Sequence, residues 1–186
     1  MFENRGNIDL DRIDFRQGSS LYILPQIPGK SIDVVITSPP YCNRYDYTRT
    51  YALELAFLGL GEEDVKNLRQ DMLSCTVENR KKTDQLKRFY DSIGRNDTYQ
   101  RVLKTFNSIN ALHEVIDILE GKRVRKELNN PNIVRMVYNY FLEMSFIIYE
   151  MARILKNGGY VIMVNDNVRY AGEYIPVDLI LSEIAS

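Results

Sequence analysis

The run Ile32-Asp33-Val34-Val35-Ile36-Thr37, closed by Ser38-Pro39-Pro40-Tyr41, constrains this chain more than any other segment. β-Branched residues suit an extended backbone and crowd a helical turn. A short run that is mostly apolar is the pattern of a central parallel strand, covered on both faces. Two prolines then end it, because proline has no N–H to give to a strand ladder. A second run, Tyr160-Val161-Ile162-Met163-Val164, follows Gly158-Gly159 and predicts another buried strand, ending in Asn165-Asp166-Asn167. Ahead of it Ile133, Val137, Tyr140, Met144, Ile148, Met151 and Leu155 line one stripe of a long helix. The glycine pair reads as the stop of that helix, in the left-handed cap conformation. Strand, helix and strand joined by short glycine turns is the grammar of a doubly wound sheet.

Other elements are read around this unit. Ile13-Asp14-Phe15-Arg16 predicts an opening strand that runs into Gly18-Ser19-Ser20 and a short helix, Leu21 to Leu24, broken by Pro25, Pro28 and Gly29. Tyr99, Val102, Leu103, Phe106, Ile109, Leu112, Ile116 and Leu119 recur at three- and four-residue steps and predict one helix stopped by Gly121. Residues from about 60 to 131 are too many for a simple crossover and read as a helical insertion. The amphipathic stretch Ile175 to Ala185 begins a further helix that reaches the end of the chain, which suggests an interrupted sheet. The fold class is therefore α/β: an incomplete, Rossmann-like set of parallel strands with flanking helices, in a single partial domain over residues 1–186.

Composition narrows the function. With 186 residues the chain supports one core and not two, and 45% hydrophobic with 26% charged residues excludes wholesale disorder. No apolar run is long enough to span a membrane, and the polar opening Met1-Phe2-Glu3-Asn4-Arg5 predicts a cytoplasmic protein. Cys42 and Cys75 have no metal-ligand spacing and are expected as free thiols. A single histidine, His113, argues against a zinc site or a Ser-His triad. A net charge of −1 rules out a globally basic nucleic-acid binder. Two local clusters, Arg80-Lys81-Lys82 with Lys87-Arg88 and Lys122-Arg123 with Arg125-Lys126, read either as solvated helix ends or as a positive face for phosphates.

Ser38 to Tyr41 sits where an open parallel sheet binds ligands, beyond the carboxyl end of a strand. Its residues suit chemistry on an exocyclic amine of a nucleobase. That nitrogen is a poor nucleophile, because its lone pair is delocalised into the ring. A site must accept its hydrogens so that the lone pair faces a methyl donor. The Ser38 hydroxyl and a carbonyl on the rigid Pro39-Pro40 backbone supply two acceptors, fixed at little entropic cost. The Tyr41 ring offers a face for a base turned out of the duplex.

The stretch Asp33 to Tyr41 resembles the catalytic motif of the N4-cytosine and N6-adenine DNA methyltransferases. That motif usually reads Asp-Pro-Pro-Tyr in the adenine enzymes and Ser-Pro-Pro-Tyr in the cytosine-N4 enzymes. Residues Cys42 to Gly59 are similar to a bacterial subgroup of site-specific enzymes, and Gly158-Gly159 into Val161-Ile162-Met163 resembles the strand after the catalytic one. The resemblance implies a class I methyltransferase sheet, double-stranded DNA as partner and S-adenosylmethionine as cofactor. It implies methyl transfer to cytosine N4, with N6-adenine transfer as the nearest alternative and a non-catalytic DNA-binding or assembly subunit as the rival from another class. No metal and no covalent intermediate are required, so Cys42 is not a nucleophile on this reading. Arg44, Tyr45, Arg49 and Asn165 are candidates for contact with DNA, against ordinary loop, packing or turn roles.

Members of this family also carry a glycine-rich loop after a strand, where glycine lets the backbone approach the cofactor. Phe57-Leu58-Gly59-Leu60-Gly61 matches it by letters but follows a helix-like run, and reads as a helix end followed by the acidic start of another, Glu62-Glu63-Asp64. Gly18-Ser19 resembles the position near the adenosine end, with serine where aspartate is common. The cofactor contacts available here are therefore Gly18, Ser19 and Ser38. The chain is expected to be a fragment or half of a split enzyme, binding S-adenosylmethionine weakly alone, with a second chain supplying the missing loop.

Overall fold

The computed structural model describes residues 13–186. Ile13 to Gln17 form no regular structure and are exposed, so the expected opening strand is corrected. Among the described residues no strand pairs with Ile13 or Phe15, and an unpaired extended run is not a strand. Helix α1 spans Ser20–Ile23 and runs into a 3-10 turn at Leu24–Gln26, with Pro25 at its first positions, where a missing N–H costs nothing. Strand β1 spans Ile32–Thr37. Two short helices follow, α2 at Tyr47–Thr50 and α3 at Ala52–Phe57. Gly59 takes a left-handed φ of 85°, and α4 opens at Glu62–Asp71 with the Asp64 carboxylate accepting from the Gly61 N–H at 2.9 Å. Phe57 to Gly61 is thus a helix end and a helix start, as expected.

Residues 83–124 form three more helices, α5 (Thr83–Ser92), α6 (Asn96–Asn107) and α7 (Asn110–Val124). The single helix expected over Tyr99 to Leu119 is broken at Ser108-Ile109, and Gly121 lies inside α7. Ser108 turns its hydroxyl back onto the Thr105 carbonyl at 2.7 Å, competing with the helical ladder, and Ile109 is extended. The long helix α8 spans Ile133–Ile154 and is buried nearly all round. It packs against α1, α6, α7, a C-terminal helix α9 (Val177–Ile184) and strand β2 (Leu155–Met163). A small antiparallel hairpin, β3 (Val168–Tyr170) with β4 (Glu173–Ile175), precedes α9 and has no counterpart in the sequence reading.

β1 and β2 form a parallel pair, with Val34, Val35, Ile36 and Thr37 opposite Tyr160, Val161, Ile162 and Met163. The glycine pair does not stop α8. Between Ile32↔Leu155 and Val34↔Tyr160 the register shifts, and β2 bulges through Lys156 to Gly159. Gly158 has φ 81°, and a Cβ on Gly159 would lie 2.8 Å from the Asp33 carbonyl oxygen. The glycines serve a bulge rather than a cap, because only glycine fits that approach of the two backbones. Nor are the strands covered on both faces. Ile36 is 74% and Tyr160 71% exposed, with Val34, Val161 and Ile162 also open. Among the described residues this is a mixed α/β chain with a two-stranded parallel sheet and flanking helices, compatible with part of the expected sheet. No helix among them is long and apolar enough to cross a membrane.

Candidate base-binding site

The parallel register places the carboxyl ends of both strands side by side. Thr37 lies opposite Met163, and the Val164 N–H donates to the Thr37 carbonyl at 2.9 Å as the chains leave the sheet. Carried one step further, that register puts Ser38 opposite Val164, one residue before Asn165. The Ser38 side chain is exposed and its hydroxyl has no hydrogen-bond partner among the described residues, while Pro39, Pro40 and Tyr41 are half-buried. Asn165 is pinned from behind: its Nδ2 donates to the Tyr140 hydroxyl at 2.9 Å, and its Oδ1 accepts from the Asp166 N–H at 2.7 Å. Burial holds the Tyr140 phenol neutral, well above its usual range. The next link runs to α9, where the Asp178 N–H donates to Asn167 Oδ1 at 3.1 Å.

The loop after Tyr41 is anchored at several points. Cys42 is fully buried and its carbonyl accepts from the Tyr170 hydroxyl at 2.5 Å. Burial pushes the Cys42 thiol far up, which disfavours its thiolate. Cys75, also free and buried, is raised to about 12 and donates weakly to the Tyr45 carbonyl at 3.5 Å. Asp46 caps α2, accepting from the Thr48 N–H at 3.0 Å and the Thr48 hydroxyl at 2.6 Å, and sits 3.0 Å from Arg69 Nε. Burial alone would raise its pKa, but Thr48, Arg69 and the backbone donors together hold it below the usual carboxylate range.

The other expected DNA contacts are spread along this loop. Arg44 adopts a left-handed φ of 68° and donates through Nη1 to Asn129 Oδ1 at 2.8 Å. Tyr45 is exposed, with its ring edge-on to Tyr47 at 4.9 Å. Arg49 is exposed but engaged by Asp46 and Glu78, each at 3.2 Å. The cluster around Lys82 is neither a solvated end nor a phosphate contact at that residue. Lys82 is buried against Glu143, at 3.1 Å, and Glu143 also accepts from the Ser74 N–H at 2.8 Å and hydroxyl at 2.5 Å. The partners are 61 residues apart, so no local signal marks them. A second buried acid, Glu150, is held by Tyr90, Arg95 and Arg153.

Gly18 and Ser19 share a cleft of about 450 Å³ with Pro40, Tyr22, Asp71 and Leu73. Gly18 has φ 143°, and a Cβ there would press on Ile23 at 3.1 Å, so the position favours glycine. Ser19, Ser20, Tyr22 and Asp71 bring polar groups to this cleft, and Ser38, the third expected cofactor contact, is not among its lining residues. No group of three or more metal-ligating side chains occurs among the described residues.

No family model and no solved structure matches the chain. Sequence relatives do. It is 53% identical over 173 residues to the Type II methyltransferase M.AvaI of Nostoc sp. and to the M.AvaI of Anabaena variabilis, covering 93% of this chain and 34% of each relative. It is 50% identical over 167 residues to the Type II methyltransferase M.BsoBI of Geobacillus stearothermophilus, covering 90% of this chain and 33% of that one. The chain is therefore a relative of the Type II methyltransferases, corresponding to about a third of their length.

Proposed function

We propose that this chain forms the base-holding part of a DNA methyltransferase that transfers a methyl group from S-adenosylmethionine to the exocyclic N4 of cytosine. The observation that carries the reading is Ser38-Pro39-Pro40-Tyr41 at the carboxyl end of β1, with a free Ser38 hydroxyl, in a chain half identical to Type II methyltransferases. Ser38 and the Pro39 carbonyl accept the two amine hydrogens, and Pro40 sets the turn. Tyr41 stacks on the extruded base, whose unpairing costs a few kcal/mol that stacking and hydrogen bonds repay. Holding the amine in this geometry directs its lone pair, which is the kind of positioning that lowers a barrier without covalent chemistry. Gly18, Ser19 and Ser38 hold the cofactor's near end, and the cofactor supplies the methyl group.

The glycine-rich loop is proposed to come from sequence outside this chain, either further along the same protein or in a second one. Relatives about three times as long support that source. Calorimetric titration of the isolated chain should then show weak or no binding of S-adenosylmethionine, and tight binding would contradict it. Nucleoside mass spectrometry tests the chemistry. DNA from cells carrying the gene with its neighbouring frames should contain 4-methylcytosine, lost with Ser38→Ala. Finding 6-methyladenine instead would transfer the reading to adenine, and methylation that survives Ser38→Ala would remove the catalytic role.

A further inference from the structure

The loop after Tyr41 meets the β3–β4 hairpin at an open cleft of about 530 Å³, distinct from the Gly18 cleft. Asn43, Arg44, Glu127, Asn129, Arg169 and Tyr170 line it. Arg44 has no carboxylate partner among the described residues, and its Nε is a buried donor without a hydrogen bond. Arg169 is likewise free of carboxylates among those residues; its guanidinium lies over the Tyr174 ring at 5.3 Å. The one acid among the lining residues, Glu127, is already taken, with Arg125 Nε at 2.5 Å and Lys122 Nζ at 3.7 Å. Lys122 also donates to the Ala171 carbonyl at 3.1 Å. The basic cluster Lys122 to Lys126 thus converges with Arg44 and Arg169, contributed by three separate parts of the sequence.

The backbone here is held under constraint. Arg44 takes a left-handed φ of 68°, which a residue with a Cβ keeps only where its surroundings demand it; Ala171, at 50°, follows from the two-residue turn of the hairpin. A buried arginine N–H without an acceptor is costly unless a ligand supplies one. Two guanidinium groups without a carboxylate among the described residues, one of them with a free Nε–H, match the tetrahedral oxygens of a phosphate, in a cleft wide enough for the adjoining sugar.

We propose that this cleft is a DNA phosphodiester site, seating the backbone beside the base held by Ser38 to Tyr41. It rests on the methyltransferase reading, because Asn43 and Arg44 follow Tyr41 within three residues. Arg169 is the discriminating residue: it is exposed, so its replacement leaves the fold intact. The site fixes position and not sequence, so its loss weakens related and unrelated duplexes alike.

The test is fluorescence anisotropy of the chain with a labelled duplex across a salt series. Arg169→Gln should lower the slope of log K against log salt by about 0.9, the signature of one lost phosphate contact. Arg169→Lys should keep most of that slope. Lys104→Gln, which removes an exposed charge on α6, should leave it unchanged. Equal effects of Arg169→Gln and Lys104→Gln would overturn the site, as would a wild-type chain that does not bind DNA. Inorganic phosphate displacing the duplex at fixed ionic strength, with a slope indifferent to Arg169→Gln, would identify a free-anion pocket and overturn it too. Ser38→Ala should keep the slope, so 4-methylcytosine can persist while the cleft fails, or vanish while the cleft stands.

Discussion

Helix α8 and the β1–β2 pair are both rich in apolar residues, and they end in opposite surroundings. In α8, Tyr140, Phe141 and Met144 are fully buried, and even Glu143 and Glu150 are enclosed with cationic partners. In the sheet, Ile36, Tyr160 and Ile162 face outward. Parallel strands occur in proteins with layers on both faces, and two strands alone are marginal in water. The helical layer finds its partners inside the described residues. The sheet has no such cover among the described residues, and a cleft of about 540 Å³ between α8, β2 and α9 lies open on one of its faces. In the proposed enzyme the longer sequence of the relatives supplies that cover.

This contrast is open to attack at both ends. Lys82→Met should cost the helical layer the most, about 3–5 kcal/mol near neutral pH, because it leaves Glu143 buried and unpaired. Burial already raises the Glu143 pKa, with Lys82 and Ser74 opposing the rise. A raised folded-state pKa means the folded protein holds the proton more tightly. The deficit should therefore shrink as pH falls toward the ordinary glutamate range and be largest above the folded pKa. Urea unfolding at two pH values reads this, and a pH-independent deficit would break it.

Gly159→Ala comes next, at about 1–3 kcal/mol, because its Cβ would meet the Asp33 carbonyl and the strands cannot part without losing the bulge. Thermal unfolding measures it. Ile162→Thr should cost the isolated chain no more than about 0.5 kcal/mol, since the side chain is already in water. A cost of several kcal/mol in the isolated chain would mean the sheet is covered, and the comparison with α8 would collapse.

Much of this was legible in the sequence wherever the signal was local. The 22-residue stripe of α8 and the β-branched run ending in two prolines declare themselves within their own neighbourhoods. Gly158-Gly159 was misread because a cap glycine and a bulge glycine are the same letter, and only the Asp33 carbonyl across the sheet distinguishes them. The break at Ser108 turns on one hydroxyl competing with the backbone. Lys82 pairs with an acid 61 residues away, and the hairpin β3–β4 is too short to show a period. At the site, Ser38 to Tyr41 was readable as a motif. The Arg44–Arg169 cleft was not, because separate elements build it.

The central claim is that the Ser38 hydroxyl receives a hydrogen of the target amine. Single-turnover methyl transfer in the complete methylating assembly, comparing wild type with Ser38→Ala at matched DNA binding, tests it most directly. The account predicts a rate lower by about 100-fold or more, in the range lost when a positioned proton-handling group is removed, with DNA affinity retained. An unchanged rate would contradict it.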